Sequence, residues 1–162
     1  MFMNPITKLS VTYNVAIITI DNLPVNYDLI SDIFNTIATK NINVDMITQS
    51  PPLKGIINLS FSISSKDLVT AISSLNSYKK KIPSLSIQVD ADNTKISVFG
   101  NQMRELPGVA ARLFTLLANN NIEIKMVTTS EVDISCLIFD KDADKAINSI
   151  KKEFNLQEVD MN

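Results

Sequence analysis

The chain has 162 residues, 45% of them hydrophobic, and a formal net charge of −2. That is enough apolar material for one ordinary domain or two small ones, and no low-complexity tract argues for disorder. The lack of histidine excludes histidine triads and histidine metal sites. The lone Cys136 excludes an internal disulfide, and the apolar runs are too short to span a membrane.

In chain order, "ITKLSVTY" (6–13) is strand-like and "NVAIITI" (14–20) is a strand rich in β-branched residues. A helix follows, with Leu29, Ile30, Ile33, Phe34, Ile37 and Ala38 on one face. "INVDMIT" (42–48) alternates: Ile42, Val44 and Met46 point one way, Asn43, Asp45 and Ile47 the other. Residues 51–55 form a turn, and "IINLSFSI" (56–63) pairs back as a strand. Ser64 and Asp67 form a capping box for a second helix that buries Leu68, Ala71, Ile72 and Leu75. The lysine run 79–81 reads as its solvated end, not a nucleic-acid patch, since no aromatic residue interleaves with it. After Pro83, "LSIQVDA" (85–91) is a final strand. The order is βαββαβ, a ferredoxin-like unit.

The pattern then repeats as strand 94–100, helix 107–119 with Pro107 in its first turn, strands 122–129 and 132–139, and helix 141–154. The repeat shows in the residues as well. "NINVDMITQS" (41–50) and "NIEIKMVTTS" (121–130) share Asn41/Asn121, Ile42/Ile122, Met46/Met126, Thr48/Thr128 and Ser50/Ser130, but differ at Asp45/Lys125 and Gln49/Thr129. The tail "NLQEVDMN" makes a poor fourth strand for the second unit. The spare strand 6–13 is therefore expected to complete it, so that the first unit is inserted into the second; the alternative is a simple N-terminal extension. The expected fold is α+β, with antiparallel sheets and helices on one face. Cys136, inside "DISCLIFD", is expected to be a buried, inert thiol. The lone cysteine and the absence of a secretory signal point to a reducing cytosol.

These residues resemble a known family. "VFGNQMRELPGVAARLFTLLANNNIEIKMVTTSEVDISCLI" (98–138) closely resembles the second ACT domain of bacterial aspartokinases, and "NINVDMITQ" matches a strand of the first. The resemblance implies tandem ACT domains, 14–91 for the first and 6–13 plus 92–155 for the second. It implies an amino-acid effector such as lysine or threonine, a homodimer through ACT–ACT contacts, and a catalytic domain elsewhere in the parent protein that phosphorylates aspartate with ATP. The chain itself is expected to be no enzyme. Its glycines, Gly55, Gly100 and Gly108, form no phosphate-cradling loop, and no catalytic residue, metal, cofactor, nucleic acid or membrane is expected.

A free amino acid needs N–H donors for its carboxylate and acceptors for its ammonium. The strand-to-helix turn 21–30 offers the donors, at Asn26, Tyr27, Asp28 and Leu29. Tyr27 and Asp28 stand where the family has Pro-Gly, and the added charge of Asp28 would repel a carboxylate. Its other reading is a favourable first-turn acid. By resemblance, Asp45 accepts the ligand ammonium, Gln49 bonds its polar ends and Ser50 assists; the other reading is a solvated strand face. Met103, Arg104, Ser130 and Glu131 are read as hairpin or interface residues. Two further readings stay open, a ligand-free dimerisation module and a free-standing ACT regulator of another enzyme.

Overall fold

The computed structural model describes residues 4–162. The chain divides into two compact units, one of Asn14–Ala91 and the other of the chain up to Tyr13 with Asp92–Asn162. Two long strands, β1 (Lys8–Pro24) and β4 (Ser86–Phe99), each contribute one part to either unit.

The first unit, residues 14–91, adds α1 (Tyr27–Thr39), β2 (Ile47–Gln49), β3 (Ile56–Ser64) and α2 (Leu68–Lys81). Its strand order is β2-β3-β1-β4. β3 runs antiparallel to β1 from Val15↔Ser64 to Pro24↔Ile56, and antiparallel to β2 at Ile47↔Phe61 through Gln49↔Leu59. Alternate strand residues meet the helices in a core that includes Ile18, Ile20, Ile33, Ile37, Leu59, Phe61, Ala71 and Leu75. Each such side chain, fully buried, contributes about 1.5–3 kcal/mol.

The second unit holds α3 (Val109–Asn119), β5 (Ile124–Thr129), β6 (Asp133–Phe139), α4 (Ala143–Glu153) and the two-residue β7 (Asp160–Met161). The start of β1 flanks β4, in the order β1-β4-β6-β5, and β7 pairs with β1 in parallel. Leu9, Val11, Ile96, Val98, Leu113, Leu117, Ile134, Cys136 and Ile150 form its core. Gly100 is required here by sterics, because a Cβ would lie 1.8 Å from the Pro5 carbonyl oxygen.

Several elements differ from the sequence reading. Strands 6–13 and 14–20 are continuous, as are 85–91 and 94–100; Asn14 (φ 57°) and Asp92 (φ 60°) kink them without ending them. Asn and Asp tolerate that left-handed conformation. The strand expected at 42–48 is regular only over Ile47–Gln49. α3 starts at Val109, with Pro107 outside it and Gly108 as its left-handed N-cap at φ 91°. The capping box does not form. Ser64 opens a 3-10 turn, Ser65–Asp67, and makes no side-chain cap bond. Lys79, Lys80 and Lys81 are exposed in the last turn of α2, where the dipole favours them. Among the described residues no helix is long and apolar enough to cross a membrane.

Candidate functional site

The residues singled out for effector binding all fall in the first unit, at two places. The first is the turn from β1 into α1. Asn26 is the N-cap of α1, extended at φ −144°, and its Oδ1 accepts the Leu29 N–H at 3.1 Å. The Leu29 donor that a ligand carboxylate would need is therefore already used. In the first turn of a helix the Tyr27 and Asp28 N–H groups have no intrahelical acceptor. Asp28 is exposed and acidic at the positive end of the helix dipole, which stabilises α1 but opposes an anion. Tyr27 is 81% exposed. The Val25 N–H donates to the Gly55 carbonyl at 2.9 Å and ties this turn to the β2–β3 hairpin.

The second place is β2, the outermost strand of the first unit. Asp45, Ile47 and Gln49 are exposed, whereas Met46 is buried, so the alternation read from the sequence holds for these side chains. The backbone beside Asp45 is irregular. Asp45 N–H donates to the Ser62 carbonyl at 3.1 Å, and Met46 N–H donates to the buried Ser62 hydroxyl at 3.0 Å. The Ser62 N–H in turn donates to the Met46 carbonyl at 2.9 Å, so two residues, Asp45 and Met46, face one across the strands and the hydroxyl takes up the additional N–H. Ser50 is committed differently from its expected role. Its hydroxyl accepts the Asn58 N–H at 2.9 Å, and the Asn58 side chain accepts the Asn22 N–H at 3.3 Å. Asn58 thus links the end of β2 to the end of β1, a role the sequence reading missed; only its polar place in an apolar strand hinted at it.

The strand directions separate the candidates. β1 and β2 both run antiparallel to β3, so they are parallel to one another. Gln49 and Ser50, at the end of β2, lie toward the entry to α1. Asp45 lies further back, opposite Ser62, three residues along β3 from the Leu59 that faces Gln49. One copy of the chain brings Gln49 and Ser50 toward the turn and leaves Asp45 at the far end.

The corresponding positions of the second unit are built otherwise. A bulge between Ile124 and Met126 sets Lys125 apart from the ladder, and its ammonium lies 3.5 Å from the Phe139 ring centroid. Gly108 starts α3 without a side-chain cap. Beside it lies a cleft of about 250 Å³ bordered by Met103, Leu106, Val109, Ser130, Glu131 and Ile134. The sequence reading gave Met103, Ser130 and Glu131 to hairpin and interface. Cys136 is buried, and desolvation, followed by nearby Asp133, pushes its thiol up to about 12. That is the inert thiol expected.

Two ferredoxin-like units of this form, joined through shared strands, define a tandem α+β repeat protein. The ACT domain family matches residues 21–78 and 96–154, and the chain belongs to that family. The chain is 38% identical over 141 residues to Aspartokinase 2 of Bacillus subtilis, covering 86% of this chain and 34% of that protein. It therefore spans about a third of that relative's length. Among solved structures it resembles the aspartokinase alpha and beta subunits, at 33% identity and a TM-score of 0.83, over 93% of this chain and 99% of that one. The ligand-free regulatory subunit of aspartate kinase from Thermus thermophilus is 25% identical, with a TM-score of 0.84 over 93% and 99% of the two chains. The chain corresponds to the regulatory part of such enzymes.

Proposed function

We propose that this chain senses an end-product amino acid and imposes feedback control on an aspartokinase, whose catalytic domain phosphorylates L-aspartate with ATP. The observation that supports this most is the contrast between the two edge strands. Asp45, just before β2, and Gln49, on it, are exposed, whereas Lys125 at the place matching Asp45 lies over a ring. In this reading Asp45 meets the ligand ammonium, Gln49 and Ser50 bond its polar ends, and the Tyr27 and Asp28 amides supply donors beside the Asn26–Leu29 cap. Asp28 favours a cationic effector, lysine before threonine.

A homodimer is part of the same reading. β1 and β2 run parallel, and Asp45 precedes β2 while the entry to α1 follows β1; in this reading a second copy brings the two sets of groups to one effector. The outer edge of β2 invites such pairing. The setting is the cytosol, where the lone thiol stays reduced. Isothermal titration with lysine, threonine and methionine, singly and in pairs, tests the proposal. Saturable heat that weakens about tenfold in Asp45→Asn is expected. No heat with any of them sinks the sensing role.

A second reading, a ligand-free dimerisation module, draws on the Asn26 cap and Asp28 charge that occupy the turn. Sedimentation separates the two. Dimers unaffected by amino acids favour the scaffold, and dimers promoted by one favour the sensor.

A further inference from the structure

A cleft in the second unit lies apart in sequence from the residues proposed for sensing. It has a volume of about 590 Å³ and sits between the start of β1 and the C-terminal tail. That is within the roughly 300–1,000 Å³ range of small-molecule sites. The tail spans it from two anchors. At one end Leu156 is buried and its N–H donates to the Lys151 carbonyl at 2.9 Å, while the Asn4 amide donates to the Phe154 carbonyl. At the other, β7 pairs Asp160 with Ser10 and Met161 with Val11, and the Asn162 N–H donates to the Val11 carbonyl at 2.8 Å. Between these anchors the flank of β1 before Ser10 meets no strand on the β7 side among the described residues.

The lining combines an apolar floor with charges of both signs. Ile6, Leu9 and Leu156 are buried beneath it, and Lys8, Glu158 and Asp160 border it. Lys8 and Asp160 are 2.6 Å apart and each about half exposed, a pair of little net worth that also joins the tail to β1. A plain anion would meet two carboxylates here, and a plain cation would meet Lys8. A molecule with both charges and a short aliphatic body satisfies the whole set.

We propose that this cleft binds a small zwitterion, with its carboxylate at Lys8 and its ammonium between Glu158 and Asp160, and that occupancy pins the tail against β1. The site is separate from the sensing face of the first unit and does not depend on it.

Amide chemical-shift titration of the full chain with L-lysine, L-threonine and 4-aminobutanoate tests this. At least one probe is expected to move the Lys8, Leu9 and Gln157 amides saturably. In the Lys8→Ala, Glu158→Gln double variant, both positions being exposed and outside the core, the apparent Kd weakens about tenfold. Asp45→Asn leaves these shifts unchanged, which separates the cleft from the first unit. At a probe concentration about ten times Kd, hydrogen exchange of the Asn162 amide slows about tenfold. Absence of a saturable shift at these amides with all three probes overturns the proposal, as do identical titrations of the double variant and the parent chain.

Discussion

The two units enter their first helices by different chemistry. α1 starts at Tyr27 under a side-chain cap from Asn26, while α3 starts two positions later in the repeat, behind a left-handed Gly108 with no such cap. Their edge strands differ at the same depth. Lys125 is set off by a bulge and lies on Phe139, whereas beside Asp45 the Ser62 hydroxyl accepts the Met46 N–H. The backbone is irregular at this repeat position in both units, inside β5 but just before the shorter β2, and the side chain and its partners change with it. A duplicated fold has kept the place where a side chain is re-aimed and varied what is aimed there.

The comparison can be broken most strongly at Gly100, which only the second unit depends on. Gly100→Ala drives a Cβ into the Pro5 carbonyl and is expected to cost about 3 kcal/mol in urea unfolding. Gly55→Ala in the first unit finds open space and costs about 1 kcal/mol through its positive φ alone. A cost at Gly100 no larger than at Gly55 would refute the steric account.

Ser62→Ala comes next. It leaves the buried Met46 N–H without its acceptor, for a loss of about 2 kcal/mol. Amide exchange at Met46 should accelerate with it. Unchanged exchange would mean the hydroxyl is dispensable.

The helix entries give a smaller, paired test. Asn26→Ala removes a cap and Gly108→Ala strains a left-handed residue, each for about 1 kcal/mol. Asn26→Gly should cost only a few tenths of that unit, whereas Gly108→Asn should be better tolerated than Gly108→Ala.

A pH-dependent effect belongs to Cys136, which occupies the place where the first unit has Phe61; Val127 pairs with Cys136 as Ile47 pairs with Phe61. Its thiol ionises at about 12 when folded, against 9.0 as the ordinary value. Above pH 9 the unfolded chain loses this proton and the folded one keeps it, so stability falls as pH rises toward 12. By pH 9.5 the loss is about 0.8 kcal/mol. Cys136→Ala should remove that slope, and a thiol reagent at pH 8 should label only unfolded chain.

Much of the fold was legible because both units carry strong periodicity. The α1 and α3 faces, the βαββαβ order and the buried side of each edge strand follow from apolar spacing alone. Misread features depend on contacts distant in sequence. Nothing near Met46 announces that the hydroxyl of Ser62, in another strand, accepts its N–H. Asp92 and Asn93 look like a turn, yet β4 passes through them because Asp92 adopts a conformation it tolerates. At the candidate site, residue type pointed to polar groups but could not say which were already engaged. Asn26 and Ser50 proved to satisfy the protein's own N–H groups, and Asp45 proved to lie away from the turn.

The sharing of β1 and β4 between two cores also orders the assembly of the chain in time. Residues 14–91 are contiguous, so every partner in the first core is available once residue 91 has been made. The second core joins Leu9 and Val11 to residues beyond 92, and the Thr7 N–H to Phe99 carbonyl bond closes a loop of 92 residues. Contacts of that separation form slowly. During synthesis the first unit should gain protease resistance while the start of β1, already made, still waits for its partners.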